Sequence, residues 1–122
     1  MIIGLGTDII EIERIKKAIG NRKNFLNSVF TESEQIYCEN RGKNSNASYA
    51  ARFAAKEAFF KALGTGIVTQ LNNVEIFNDE RGAPQIFLHG KAKILAQSKG
   101  IEKISVSLSH SREFAIATCI LE

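Results

Sequence analysis

Ser48–Leu63 reads SYAARFAAKEAFFKAL, a stretch dominated by Ala, Leu, Lys, Glu and Arg with no Gly or Pro inside it, which predicts a helix over Ala47–Leu63. Gly64 follows as a stop. Upstream, MIIGLGTDII (Met1–Ile10) reads as an opening strand. Gly4 and Gly6 interrupt it, as expected where something approaches the backbone closely. Glu11–Ile19 carries Ile12, Ile15 and Ile19 at helical spacing, with Lys16 and Lys17 late in the segment and Gly20 as its stop. Thr31 and Glu34 have the spacing of a capping box, and that helix closes at Arg41 and Gly42. Gly42–Ser48 is expected to be a mobile polar loop.

Downstream, Val74–Phe77 and Gln85–Leu88 read as strands joined by the turn-rich NDERGAP. Lys91–Ser98 reads as a short helix. Ile104, Val106 and Leu108 alternate with Ser105, Ser107 and Ser109 as a strand with one buried face, and Phe114–Leu121 supplies the last strand. Strands and helices do not alternate regularly, so the fold class is α+β, a mainly antiparallel sheet packed against the long central helix, in a single domain over 1–122.

A chain of 122 residues has room for one core. Its 44% hydrophobic and 24% charged residues exclude disordered and fibrous classes. The 16 Lys and Arg exceed the 13 Asp and Glu, for a formal charge of +3 and a mild preference for anionic partners. Cys38 and Cys119 form no CxxC, and with two histidines they complete no familiar zinc spacing, which implies reduced thiols in a cytoplasmic protein. No basic leader or bilayer-length apolar stretch is present, so neither export nor membrane spanning is expected.

Several polar residues stand out. Glu57 and Lys61, four apart on the long helix, project from one face and read at first as a surface ion pair. A helical projection surrounds Glu57 with Ala50, Phe53, Ala54 and Phe60, however, and a carboxylate among such side chains gains a cation or protonates. Arg52 and Lys56 form an i,i+4 basic pair, read as a solvated edge or else a phosphate site. Asp8 is unusual in a strand and either caps the following helix or serves as a ligand. Two separated carboxylates without a Cys or His cluster suit a hard cation such as Mg²⁺, provided they meet. His110 ends the alternating strand without the Asp and Ser of a recognisable triad. His89 shows no partner. GLGTDI lacks the third glycine of a dinucleotide fingerprint, and the GTG of Gly64–Gly66 lacks a P-loop ending.

GLGTDIIEIER (Gly4–Arg14), ARFAAKEAFFKALGTG (Ala51–Gly66), NDERGAPQIFL (Asn78–Leu88) and SVSLSHSREFAIA (Ser105–Ala117), in that order and at this length, resemble the holo-[acyl-carrier-protein] synthases, the small bacterial type of 4′-phosphopantetheinyl transferase. Segment 20–46 carries little of the resemblance. The likeness implies transfer of the phosphopantetheine arm from coenzyme A to a serine of an apo acyl carrier protein, releasing adenosine 3′,5′-bisphosphate for fatty acid biosynthesis. It also implies Asp8 and Glu57 as Mg²⁺ ligands, Lys61 on the pyrophosphate, and Arg52, Gly64, Pro84 and His110 along the coenzyme site. Arg14 would dock the acidic carrier helix, and a homotrimer would place the site between subunits.

A metal plus a fixed ammonium agrees with the charge such a reaction must neutralise. The base that deprotonates the serine is left open among Glu57, Asp8 and a water held by the cation. Arg14, Lys16, Lys17, Arg22 and Lys23 would steer an acidic protein. The alternatives are a basic nucleic-acid-binding module, which lacks an RNP-like aromatic pair, a GXXG loop or an arginine-rich run, and a noncatalytic carrier-binding protein, which has no need of Glu57.

Overall fold

The computed structural model describes residues 1–122. Strand β1 (Gly4–Glu11) leads into α1 (Ile12–Asn21), α2 (Phe25–Val29) and α3 (Glu32–Glu39), and a 3₁₀ turn at Gly42–Asn44 precedes the long helix α4 (Ser45–Leu63). The hairpin β2 (Val74–Asn78) and β3 (Pro84–Leu88), helix α5 (Gly90–Ser98), and strands β4 (Ile104–His110) and β5 (Phe114–Leu121) follow. All pairing is antiparallel, in a three-stranded sheet of order β1-β5-β4 and the separate β2-β3 hairpin. This is the expected α+β arrangement, and α4 packs against β1, β5 and β4.

Glycine and alanine set how close that packing is. A Cβ at Gly4 or Gly6 would overlap the carbonyl oxygen of Ala62 or Ala58, so β1 lies with its backbone directly on α4. The partner that the two glycines admit is therefore the long helix. Ala115, Ala117, Cys119 and Leu121 alternate inward along β5 and are buried against Ala50, Ala54 and Ala58 of α4. Bulkier side chains fill the far side of α4, where Phe30 meets Tyr49 edge to face with ring centroids 4.9 Å apart. Both cysteines are free and buried, and desolvation pushes each thiol up to about 12.

The capping box forms as its spacing predicts: Glu34 N donates to Thr31 Oγ1, and Thr31 N to Glu34 Oε1. Other boundaries move. Gly42–Ser48 is the 3₁₀ turn and the first turn of α4, because Asn44 and Ser45 suit a helix start and Gly42 takes a left-handed φ of +59°. Helix α1 continues through Gly20, which is exposed and costs a helix only about 1 kcal/mol, and ends where Arg22 N donates to Ala18 O. α3 closes at Glu39, short of Arg41, and α2 is a helix that the sequence did not announce. No helix is long and apolar enough to cross a membrane.

Candidate active site

Asp8 shares the inward parity of Gly4, Gly6 and Ile10 on β1, and it emerges just beyond the point where the strand lies on α4. It caps nothing: the N-cap of α1 is Glu11, which makes no side-chain cap bond. Lys61 reaches across from α4 instead, donating from Nζ to Asp8 Oδ1 at 3.0 Å and to Thr7 O at 3.0 Å. The expected Glu57–Lys61 pair is therefore replaced, because the carboxylate of β1 lies within reach of the ammonium. Lys61 stays half exposed and Asp8 is largely covered, with side-chain exposures of 53% and 12%.

Glu57 lies one turn before Lys61 and has no ion-pair partner. Together with Asp8, Arg14 and Arg22 it lines a cleft of about 230 Å³, walled by Phe25 and Phe53. Desolvation raises the Glu57 pKa above the ordinary carboxylate value, and the nearby Asp8 charge raises it further, against the opposing pull of Lys61 and Arg14. The two acids that the sequence singled out thus face one space and feel one another. No third His, Cys, Asp or Glu joins them. A donor set of two carboxylates fits a hard divalent cation that keeps water in its remaining positions, and it excludes a soft or fully caged metal.

A second cavity, of about 180 Å³, shares no lining residue with the first. Arg41, Arg52, Asn78, Pro84 and His110 bound it, and Tyr37 forms part of its wall. Arg52 and Lys56 are not a solvated edge. Arg52 is 3% exposed and Lys56 is fully buried, where its Nζ donates to Glu34 Oε1 at 2.8 Å and to Leu71 O at 3.2 Å. The two diverge in role, Arg52 facing the cavity and Lys56 joining α4 to α3 and the start of the hairpin. Gly64 ends α4 with a left-handed φ of +78° and lies outside both cavities. His89, expected to stand alone, pairs with Glu75 Oε1 at 2.9 Å. Tyr37, Arg41 and Phe25 were missed. Tyr37 and Arg41 are four residues apart, a spacing at which a cation can reach an aromatic ring.

The sequence profile of the 4′-phosphopantetheinyl transferase superfamily matches residues 4–119. The chain belongs to this superfamily. As a phosphopantetheinyl transferase it is similar to the holo-[acyl-carrier-protein] synthase of Ruminiclostridium cellulolyticum, with 52% identity over 121 residues that cover 96% of this chain and 90% of the relative. The crystal structure of the Neisseria meningitidis holo-[acyl-carrier-protein] synthase superposes with a TM-score of 0.89 at 34% identity, covering 100% of this chain and 99% of that one. The Helicobacter pylori synthase, solved in complex with coenzyme A, gives a TM-score of 0.84 at 33% identity, with 97% and 99% covered. The transferase match runs through segment 20–46, so α2 and α3 belong to the shared fold although their motifs are weak.

Proposed function

We propose that this transferase moves the 4′-phosphopantetheine arm of coenzyme A onto a serine of an apo acyl carrier protein, with Mg²⁺, releasing adenosine 3′,5′-bisphosphate in support of fatty acid biosynthesis in the cytoplasm. The observation that carries this reading is the pairing in one cleft of Asp8, held by Lys61, with Glu57, a carboxylate that has no cation of its own. Such a pair calls for a divalent ion, and Mg²⁺ bound there would supply positive charge against the pyrophosphate oxygens.

The remaining work falls to side chains. Lys61 turns its exposed ammonium toward the phosphates while Asp8 and Thr7 O hold it in place, so little reorganisation is needed as charge develops. The serine oxygen attacks the pantetheine-side phosphorus, its bond to the adenylate-side oxygen breaks, and the serine proton passes to a carboxylate of the cleft. Glu57 and Asp8 both line that cleft, and either lies where it could take the proton. The basic cavity with Arg41, Arg52 and His110, bordered by Pro84, would receive the nucleotide phosphates, and Gly64 would leave room for the coenzyme as α4 ends.

Two features support a homotrimer with the site between subunits. The acid cleft and the basic cavity have no lining residue in common, as expected if the cleft of one copy is completed by the basic cavity of its neighbour. The outer face of the three-stranded sheet also leaves Leu5, Ile9, Phe114 and Ile116 exposed, an apolar surface suited to covering by another copy.

The test is to incubate the protein with coenzyme A, Mg²⁺ and an apo carrier protein, and to read the mass of the carrier. Gain of one phosphopantetheine on serine is expected, and chelation of Mg²⁺ should abolish it. No gain at any salt concentration would overturn the reading and return attention to a basic nucleic-acid-binding module. Arg14, Lys16, Lys17, Arg22 and Lys23 are all exposed at or beside α1, as docking of an acidic helix requires. Arg14→Glu should raise the KM for the carrier about tenfold and flatten its salt dependence, with a smaller rise in the KM for coenzyme A because Arg14 also borders the acid cleft. Equal changes for both substrates would remove the docking role.

A further inference from the structure

Arg52 is the only buried charge in the basic cavity, and it is incompletely satisfied. Its Nη2 donates to Asn78 Oδ1 at 2.6 Å, while its Nε is buried without an acceptor in the chain. The guanidinium carbon lies 4.0 Å from the centroid of the Tyr37 ring, and that of Arg41 lies 5.5 Å from the same ring. A buried donor left open costs free energy unless an incoming acceptor completes it.

Asn78 is the last residue of β2, and its amide faces two partners of opposite kind. Oδ1 accepts from Arg52, which can only donate, and Nδ2 donates to Gly82 O at 2.9 Å, which can only accept. Neither Asp nor Leu could serve both. The turn beyond it is held independently: Asp79 Oδ1 accepts from Arg81 N at 2.9 Å and Ala83 N at 3.0 Å, and Asp79 Oδ2 accepts from Gln85 Nε2 at 3.1 Å. Asn78 thus grips the buried Arg52 side chain from the end of β2, through bonds that do not involve Asp79.

We propose that Asn78 is a positioning residue of the coenzyme site, fixing the Arg52 guanidinium against the Tyr37 ring so that its free N–H donors meet a phosphoryl group of coenzyme A in one orientation. This rests on the reading that the basic cavity receives the coenzyme. Holding the fork before the ligand arrives removes an ordering cost from binding, so the effect belongs in KM and not in kcat.

The test is steady-state transfer by the full-length protein with Asn78→Ala, Arg52→Ala, the double variant and Asp79→Ala. Asn78→Ala should raise the KM for coenzyme A about tenfold, with kcat within about twofold of the parent. In the Arg52→Ala background the same change should add less than about twofold, because a residue acting through Arg52 has nothing left to act on. Asp79→Ala loosens the turn without touching Arg52 and should leave that KM within about twofold. A full tenfold effect in the Arg52→Ala background, or an Asp79→Ala effect as large as that of Asn78→Ala, overturns the proposal. A raised KM in Arg52→Ala beside an unchanged one in Asn78→Ala overturns the positioning role alone. An unchanged KM in Arg52→Ala overturns the coenzyme-site reading itself. Tyr37→Leu, which removes the other wall, gives a second measure should Asn78→Ala fail to fold: a several-fold rise in KM that vanishes with Arg52→Ala is expected, and no rise overturns the arrangement.

Discussion

Glu57→Gln will fold and lose transfer by about 10²–10³-fold, because it removes one of the two carboxylates offered to the divalent ion. Asp8→Asn will do the same and will also loosen Lys61, whose charge-assisted bond to Asp8 Oδ1 becomes a weaker bond to a neutral amide oxygen while its bond to Thr7 O remains. The measurement is carrier mass gain over a Mg²⁺ titration. A second readout does not depend on turnover: Mg²⁺ should raise the Tm of the parent protein, by mass action on the folded state, and should not raise that of either variant.

The stability of the metal-free protein carries a sign of its own. The folded state raises the Glu57 pKa by desolvation first and the Asp8 charge second. The stabilisation linked to this group is therefore fully present below the unfolded carboxylate pKa and is lost as pH rises through the folded value. At neutral pH without metal, Glu57→Gln should thus be at least as stable as the parent, with the difference closing as pH falls into the carboxylate range. Full activity in both variants, or a Mg²⁺-dependent rise in Tm that survives in both, would remove the metal assignment.

Glu57 was legible because helical projection depends only on local geometry: a carboxylate among Ala and Phe is anomalous wherever the helix sits. Asp8 was visible as an acid in a strand, but its meeting with Glu57 and Lys61 was not. That meeting follows from the stagger of β1 on α4, which Gly4 and Gly6 fix through contacts with Ala62 and Ala58, and no sequence period encodes such a stagger. The solvated-edge reading of Arg52 and Lys56 failed for a related reason. An i,i+4 pair predicts a shared stripe, and a polar stripe is normally solvated, but α4 is covered by the sheet on one side and by α1, α3 and β2 on others. Helix α2, Phe25–Val29, is too short to show a period. The His89–Glu75 pair required the hairpin register, in which Glu75 lies opposite Phe87, two residues from the histidine. Motif order carried the resemblance through all of this, since it depends on residue identity and not on packing.

Lys56→Met should cost about 3–5 kcal/mol, a large part of the stability of a domain this size and a fall in Tm of more than about 10 °C. Lys56 and Glu34 are both fully buried and meet at 2.8 Å, so the loss of the ammonium strands a carboxylate in the core. Glu34 cannot turn outward, because Oε1 also accepts from Thr31 N in the capping box and Oε2 accepts from Ile76 N at 2.9 Å. One carboxylate therefore ties the start of α3 to α4 and to the middle of β2, and burial lowers the Lys56 pKa against the pull of that same carboxylate. If the stranded charge is the cause, Glu34→Gln introduced into Lys56→Met should recover part of the loss despite weakening the cap. If the two changes simply add, the charge is not what the lysine serves. Lys56 adjoins Glu57 in sequence yet faces the other way, into the contact with α3 and β2, so the transfer rate per folded molecule should stay within about twofold of the parent below the lowered Tm. A fall in kcat comparable to that of Glu57→Gln would instead place Lys56 within the chemistry and separate this ion pair from a purely structural role.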